Sequence, residues 1–175
     1  ADIFNGLIEA AGFSDEEEQD VHDFVSNKNF FGLDEYLSHK QIDKDLISLF
    51  GLLSKIFMTP DEWKDSLEQA KNYPKILGAL THLYRMNELL SAYGVEDYVG
   101  FDLGLVRSLK YYTGIIFSGY TFGSGKPIVT GGRYDNLLGH FGADRPAIGF
   151  AFLINELMLA IDRQGIELPV ENAKI

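Results

Sequence analysis

The sequence predicts an α+β fold in which a helical lobe precedes a small antiparallel sheet. Residues 1–98 carry apolar side chains at three- and four-residue spacings, the periodicity of amphipathic helices. From residue 99 the pattern changes to short aromatic and β-branched runs broken by glycine turns, as antiparallel strands require. Charge divides at the same point: 19 acids against 8 Lys/Arg before it, net −11, and 7 against 7 after it. The expected units are therefore a mainly helical lobe, 1–98, and a sheet with a closing helix, 99–175.

Each element has a local reason. In "SDEEEQDVHDFVSNK" Ser14 precedes Glu17 by three, the spacing of a capping box, and acids fill the first turn where the helix dipole favours them. "TPDEW" repeats the arrangement, with Thr59 as cap and Pro60 at the first helical position. "DKDLISLFGLLSKIF" and "ILGALTHLYRMNELLSAYG" read as helices, the second terminated by Gly94. "YVGFDLGLV", "GIIFSGYTF" and "KPIVTGG" then read as strands. "AIGFAFL" is a further strand that feeds the helix "INELMLAIDRQG". Three or four strands make an incomplete sheet, which points to part of a larger fold.

Composition narrows the function. The chain has 175 residues, is 46% hydrophobic and contains no cysteine. A packed core is affordable at that hydrophobic content, and thiol nucleophiles, disulfides and cysteine-ligated metals are excluded. No apolar run approaches the roughly 18–20 residues that cross a bilayer. "ADIFNGLIEAAGF" has no basic flank and does not read as a signal peptide. A cytoplasmic protein without a membrane partner is expected. The acidic lobe repels a polyphosphate backbone, so no nucleic-acid partner is expected; its acids read as solvated helix faces.

Few motifs survive scrutiny. "GSGK" at 123–126 lacks the earlier glycine and the following Ser/Thr of a phosphate loop, with Tyr120 and Pro127 in those places, and it lies between two strands. It is a hairpin turn. His22, His39, His82 and His140 share no metal-ligand spacing, so no metal and no cofactor is expected. What remains is "YYTGIIFSGYTFGSGKPIVTGGRYDN", 111–136, together with Arg107. Arginine offers a planar fork to a carboxylate, tyrosine hydroxyls donate or accept, and glycines allow close backbone approach. Arg107, Tyr111, Tyr112, Arg133, Tyr134, Gly131 and Gly132 suit a small polar ligand. A hairpin that merely buries tyrosines and turns on glycines is the alternative, and composition leaves both open.

"LVRSLKYYTGIIF", "TGGRYDNLLGHFG" and "PAIGFAFLINEL" occur in this order over about residues 99–160. They resemble the histidine-pocket segments and the third class II motif of histidyl-tRNA synthetases and their paralogues. The resemblance implies a partial class II aminoacyl-tRNA synthetase-like antiparallel sheet, with residues 1–98 as a helical insertion lobe. It also implies a histidine-binding set of Arg107, Tyr111, Tyr112, Gly131, Gly132 and Tyr134.

The departures are informative. Glu156 stands where the synthetases place an ATP-holding arginine, and Arg163 is about two helical turns further on. Lys110 and Ser118 replace family acids. A chain of this kind is similar to the regulatory subunits of ATP phosphoribosyltransferase, synthetase paralogues without catalysis of their own. That resemblance implies a catalytic-subunit partner, histidine as effector and self-association of the full-length subunit. It also implies a C-terminal piece that begins after the first two class II motifs. The competing expectations are a fragment of a divergent histidyl-tRNA synthetase and a stand-alone amino-acid-binding module.

Overall fold

A computed structural model describes residues 2–105, 112–142 and 145–167. The chain divides into two compact units, Ala1–Ser108 and Leu109–Ile175.

The first unit is helical. Its helices are α1 (Asp2–Ala11), α2 (Asp15–Ser26), α3 (Phe30–Ser38), α4 (Lys44–Gly51), α5 (Pro60–Gln69) and α6 (Pro74–Ala92), with short 3-10 turns at Leu52–Ser54, Ala70–Asn72 and Glu96–Tyr98. Both expected capping boxes form. Ser14 accepts from the Glu17 amide while Glu17 accepts from the Ser14 amide, and Thr59 and Glu62 do the same for α5. Each pair satisfies amides that have no partner within the helix. Gly94, at φ 67°, ends α6 as expected, and the next amide, Val95, returns to the Leu90 carbonyl at 3.1 Å. Only glycine adopts that left-handed conformation without strain.

The apolar stripes meet in one core built from Phe4, Leu7, Val21, Leu33, Leu49, Phe50, Trp63, Ile76 and Leu80. Helix α1 packs on α4 and α6. Gly6 permits the α1–α6 approach, since a Cβ there would lie 3.0 Å from Ile76 Cγ1. Truncating such tightly enclosed side chains leaves a cavity as well as losing burial.

Two expectations change in this unit. "DKDLISLFGLLSKIF" is helical only to Gly51 and passes through one 3-10 turn to Ser54. "YVGFDLGLV", expected to open the sheet, forms no strand over its described part, 98–105. Its backbone is used elsewhere: the Phe101 amide donates to the Ile56 carbonyl at 2.7 Å, and Leu103 to Lys55 at 3.4 Å. Leu103 is buried in the helical core, and Asp102 pairs with Lys28 at 2.9 Å. A Cβ on Gly104 would lie 2.2 Å from the Leu53 carbonyl oxygen, so this segment lies flat on the helical unit. Aromatic and β-branched content signalled burial here, and the sheet reading assigned it to the wrong partner.

The second unit contains β1 (Ile116–Gly119), β2 (Val129–Arg133), β3 (Ile148–Phe152), a 3-10 turn at Leu138–Phe141 and α7 (Ile154–Arg163). The three strands form an antiparallel sheet in the order β1-β2-β3. "GSGK" is the hairpin turn expected: Gly123 has φ 84°, and the Ser124 hydroxyl accepts from the Lys126 amide. Among the described residues no helix is long and apolar enough to cross a membrane.

Replacing Thr59 by Ala is expected to cost about 1 kcal/mol of unfolding free energy, read by urea denaturation. Hydrogen bonds from Lys55 and the Thr59 amide hold the Glu62 carboxyl down at about 2. A depressed folded-state pKa contributes stability above the ordinary carboxylate value, and that stability is lost as pH falls through about 2. In an NMR pH series, Lys55→Ala should move the Glu62 titration back toward the ordinary range.

Candidate functional site

The site is a property of sheet register. Ile116 lies opposite Gly132, and Gly132 opposite Gly149; two residues along, Ser118, Thr130 and Ala151 form the next row on that face. Residues directly opposite in an antiparallel pair project to the same face, and residues two apart share it. One face of the sheet is therefore Ile116, Ser118, Thr130, Gly132, Gly149 and Ala151. The other carries Phe117, Val129, Gly131, Arg133, Ile148, Phe150 and Phe152.

Two tyrosines lie on the small-residue face. A Cβ built on Gly132 would fall 2.7 Å from Tyr112 Cε1, and one on Gly149 would fall 2.4 Å from Tyr134 Oη. Because Gly132 and Gly149 are register partners, the two tyrosines are neighbours on that face. Each occupies space that any side chain on its glycine would take.

The ladder continues beyond the strands and places the tyrosines. The Thr113 amide donates to the Arg133 carbonyl and the Arg133 amide to the Ile115 carbonyl, both at 2.9 Å. The Tyr134 amide donates to the Ala147 carbonyl at 2.8 Å, tying the end of β2 to the start of β3. Asp135 closes the corner, its amide donating to Thr113 Oγ1 at 2.9 Å.

The expected site residues separate by face. Tyr112, Gly132 and Tyr134 come together. Gly131 is turned the other way: its missing side chain would meet the Gly149 carbonyl oxygen at 2.4 Å, Phe117 Cζ at 2.6 Å and Phe150 Cβ at 2.7 Å. Arg133 also projects to the opposite face, where its Nε donates to both Asp135 carboxylate oxygens at 2.9 Å. Adjacent residues of a strand cannot line one face, which is why the expected set divides. Arg107 and Tyr111 lie outside the described residues. Among the described residues no cluster of His, Asp and Glu could hold a metal ion.

Gly149 belongs to the site and was missed as a sequence candidate, as were Thr130 and Ala151. The signal was small residues at alternate positions, Thr130/Gly132 and Gly149/Ala151, a period-2 pattern that marks a bare sheet face. Beside the sheet, α7 grips the hairpin: Arg163 Nη1 donates to the Gly123 carbonyl at 2.7 Å, and Gln164 Nε2 to Phe122 at 2.6 Å. Lys126 Nζ lies 3.4 Å from Glu156 Oε1, and Glu156 is half-buried.

Two tyrosines seated on the paired glycines, on the face that also bears the hydroxyls of Ser118 and Thr130, present rings and polar edges that suit a small ligand with a planar group and hydrogen-bonding edges. A sequence model of histidyl-tRNA synthetase matches residues 1–157. The chain belongs to the histidyl-tRNA synthetase family. Within it, the chain is 39% identical over 169 residues to an ATP phosphoribosyltransferase regulatory subunit from Acetivibrio thermocellus, covering 95% of this chain and 40% of that protein. A histidine–tRNA ligase subunit of known structure from Alicyclobacillus acidocaldarius is 30% identical, with TM-score 0.77, 94% of this chain covered and 53% of that one. A Bacillus halodurans structure described as an ATP phosphoribosyltransferase regulatory subunit/histidyl-tRNA synthetase is also 30% identical, with TM-score 0.74, 92% of this chain covered and 42% of that one. The chain spans about two fifths of the length of the curated relatives it matches. The family's class II synthetase fold agrees with the α+β architecture expected from the sequence, a helical unit and an antiparallel sheet.

Gly131→Ala should destabilise the sheet by about 1–3 kcal/mol, because backbone and Cβ atoms of β3 would have to shift. Thermal unfolding of the variant against wild type reads this directly.

Proposed function

We propose that the chain is part of a regulatory subunit of ATP phosphoribosyltransferase. Such a subunit has no catalysis of its own, partners the catalytic subunit in the first step of histidine biosynthesis, and takes part in feedback by histidine. The observation that carries the reading is the name shared by its curated relatives, eight of which at 30–39% identity are called regulatory subunits of that enzyme. On this reading the helical unit is the family's insertion lobe, the full-length subunit self-associates, and the protein is cytoplasmic. Histidine binds against Tyr112, Tyr134 and Gly132, with Arg107 and Tyr111 completing the set and the backbone at Gly131 forming part of the wall.

Glu156 supports a non-catalytic role. A carboxylate in the first turn of α7, where a synthetase presents a cation to ATP, would repel a triphosphate instead of stabilising it. Lys126 pairs with it. Arg163 is engaged with the Gly123 carbonyl and does not substitute.

The second reading is a histidyl-tRNA synthetase fragment, favoured by the name of the Alicyclobacillus structure. Pyrophosphate exchange separates the two. Full-length protein should show no histidine-dependent ATP–pyrophosphate exchange and should raise the rate of its catalytic partner; measurable exchange moves the assignment to the synthetase.

For ligand binding, titration calorimetry on the full-length subunit should show Tyr134→Phe weakening L-histidine roughly 5- to 150-fold, the effect of about 1–3 kcal/mol from one lost buried hydrogen bond. Arg107→Ala should weaken it as well. Unchanged affinity in both variants would place the regulatory histidine elsewhere.

A further inference from the structure

We infer that Gly149 is a positioning residue for the ligand site: by having no side chain, it lets the Tyr134 hydroxyl sit on the sheet where the ligand's polar edge would be met. The inference rests on the histidine-site reading above and extends it to a residue outside the expected set.

The constraint is steric. A Cβ on Gly149 would fall 2.4 Å from Tyr134 Oη, 3.3 Å from Cζ and 3.4 Å from Cε1. The oxygen distance lies well inside van der Waals contact, so the hydroxyl and a Cβ cannot coexist. Backbone conformation does not demand glycine here, because Gly149 is absent from the glycines with positive φ. Its absent side chain therefore answers to the tyrosine and not to a turn.

Gly131, Gly132 and Gly149 differ in what an added methyl would move. At Gly131 the obstacles are the Gly149 carbonyl oxygen and Phe150 Cβ, which belong to the framework of β3. At Gly132 the Tyr112 ring is joined by the Ile115 carbonyl oxygen at 2.9 Å, again backbone. At Gly149 the atoms met are the far end of one side chain. A tyrosine rotates its tip away at small cost in stability, since the side chain has neighbouring rotamers. Gly149→Ala therefore displaces the hydroxyl and leaves the strand in place, a change confined to the site.

This predicts coupling between the two residues. In the full-length subunit, Gly149→Ala should weaken L-histidine roughly 5- to 150-fold, like the loss of the hydroxyl itself. In a Tyr134→Phe background the same substitution should change affinity less than about twofold, since no hydroxyl remains to be displaced. Equal losses in both backgrounds, or no loss from Gly149→Ala where Tyr134→Phe is impaired, would overturn the inference.

A ligand-independent measurement keeps it separate from the functional reading. The Tyr134 ring, which meets Gly149 with its hydroxyl edge, should shift the facing Gly149 Hα resonance downfield, and Tyr134→Ala should abolish that shift. If wild type binds no histidine, the histidine-site reading and the ligand role fall, and the ring-current shift still decides the placement: its presence sustains the seating of Tyr134 on Gly149 and its absence removes it.

Discussion

The pairing of two glycines across β2 and β3 is the constraint on which the site depends. Gly132 and Gly149 face each other in register, and each leaves a space that a tyrosine occupies. An aromatic ring laid directly on a sheet needs residues without Cβ beneath it. Shifting β3 by one residue would put Phe150 opposite Gly132 and a phenyl ring where Tyr134 now lies. Register and tyrosine placement are thus a single requirement.

The two faces of this sheet have opposite chemistry. One is small and hydroxyl-bearing; the other is aromatic, with Phe150 and Phe152 in edge contact at 5.6 Å between ring centroids and both exposed. The grip of α7 on the hairpin turn, through Arg163 and Gln164, fixes the β1–β2 end of the unit. The helical unit has its own core and its own polar anchors, such as Lys40 bonded to Glu17 at 2.6 Å. That contact lowers the Glu17 carboxyl and raises the Lys40 amine, a mutual preference for the charged forms. The acids of this unit are the solvated faces expected of amphipathic helices: Leu7, Val21, Val25 and Leu33 point inward while Glu9, Glu16 and Asp34 stay out.

Family membership and site chemistry meet at different levels. The match over residues 1–157 establishes the fold family. It does not by itself distinguish aminoacylation from regulation, because both readings retain the tyrosine-bearing strands. On the proposed reading the distinction falls to side chains outside the sheet, above all Glu156, which pairs with Lys126. One carboxylate at the first turn of α7 changes what the adjoining space can attract, while the sheet and its tyrosines stay the same.

Local chemistry alone determined much of this protein. Ser14–Glu17 and Thr59–Glu62 formed capping boxes because a cap and its reciprocal acid lie within one turn. Gly94 and Gly123 took positive φ because the chain must reverse there. The α+β division and the hairpin were legible for the same reason, since periodicity and turn residues act over a few positions. Tertiary structure decided what depends on partners distant in sequence. Residues 98–105 have strand-like composition, yet they lie on the helical unit because Ile56 and Lys55 offer carbonyls and the core accepts Leu103. Gly131 and Gly132 look equivalent in "TGGRYD", but strand alternation sends them to opposite faces. Gly149 joined the site through a register contact spanning seventeen positions from its partner Gly132, a relation fixed by inter-strand pairing and absent from any local window of sequence.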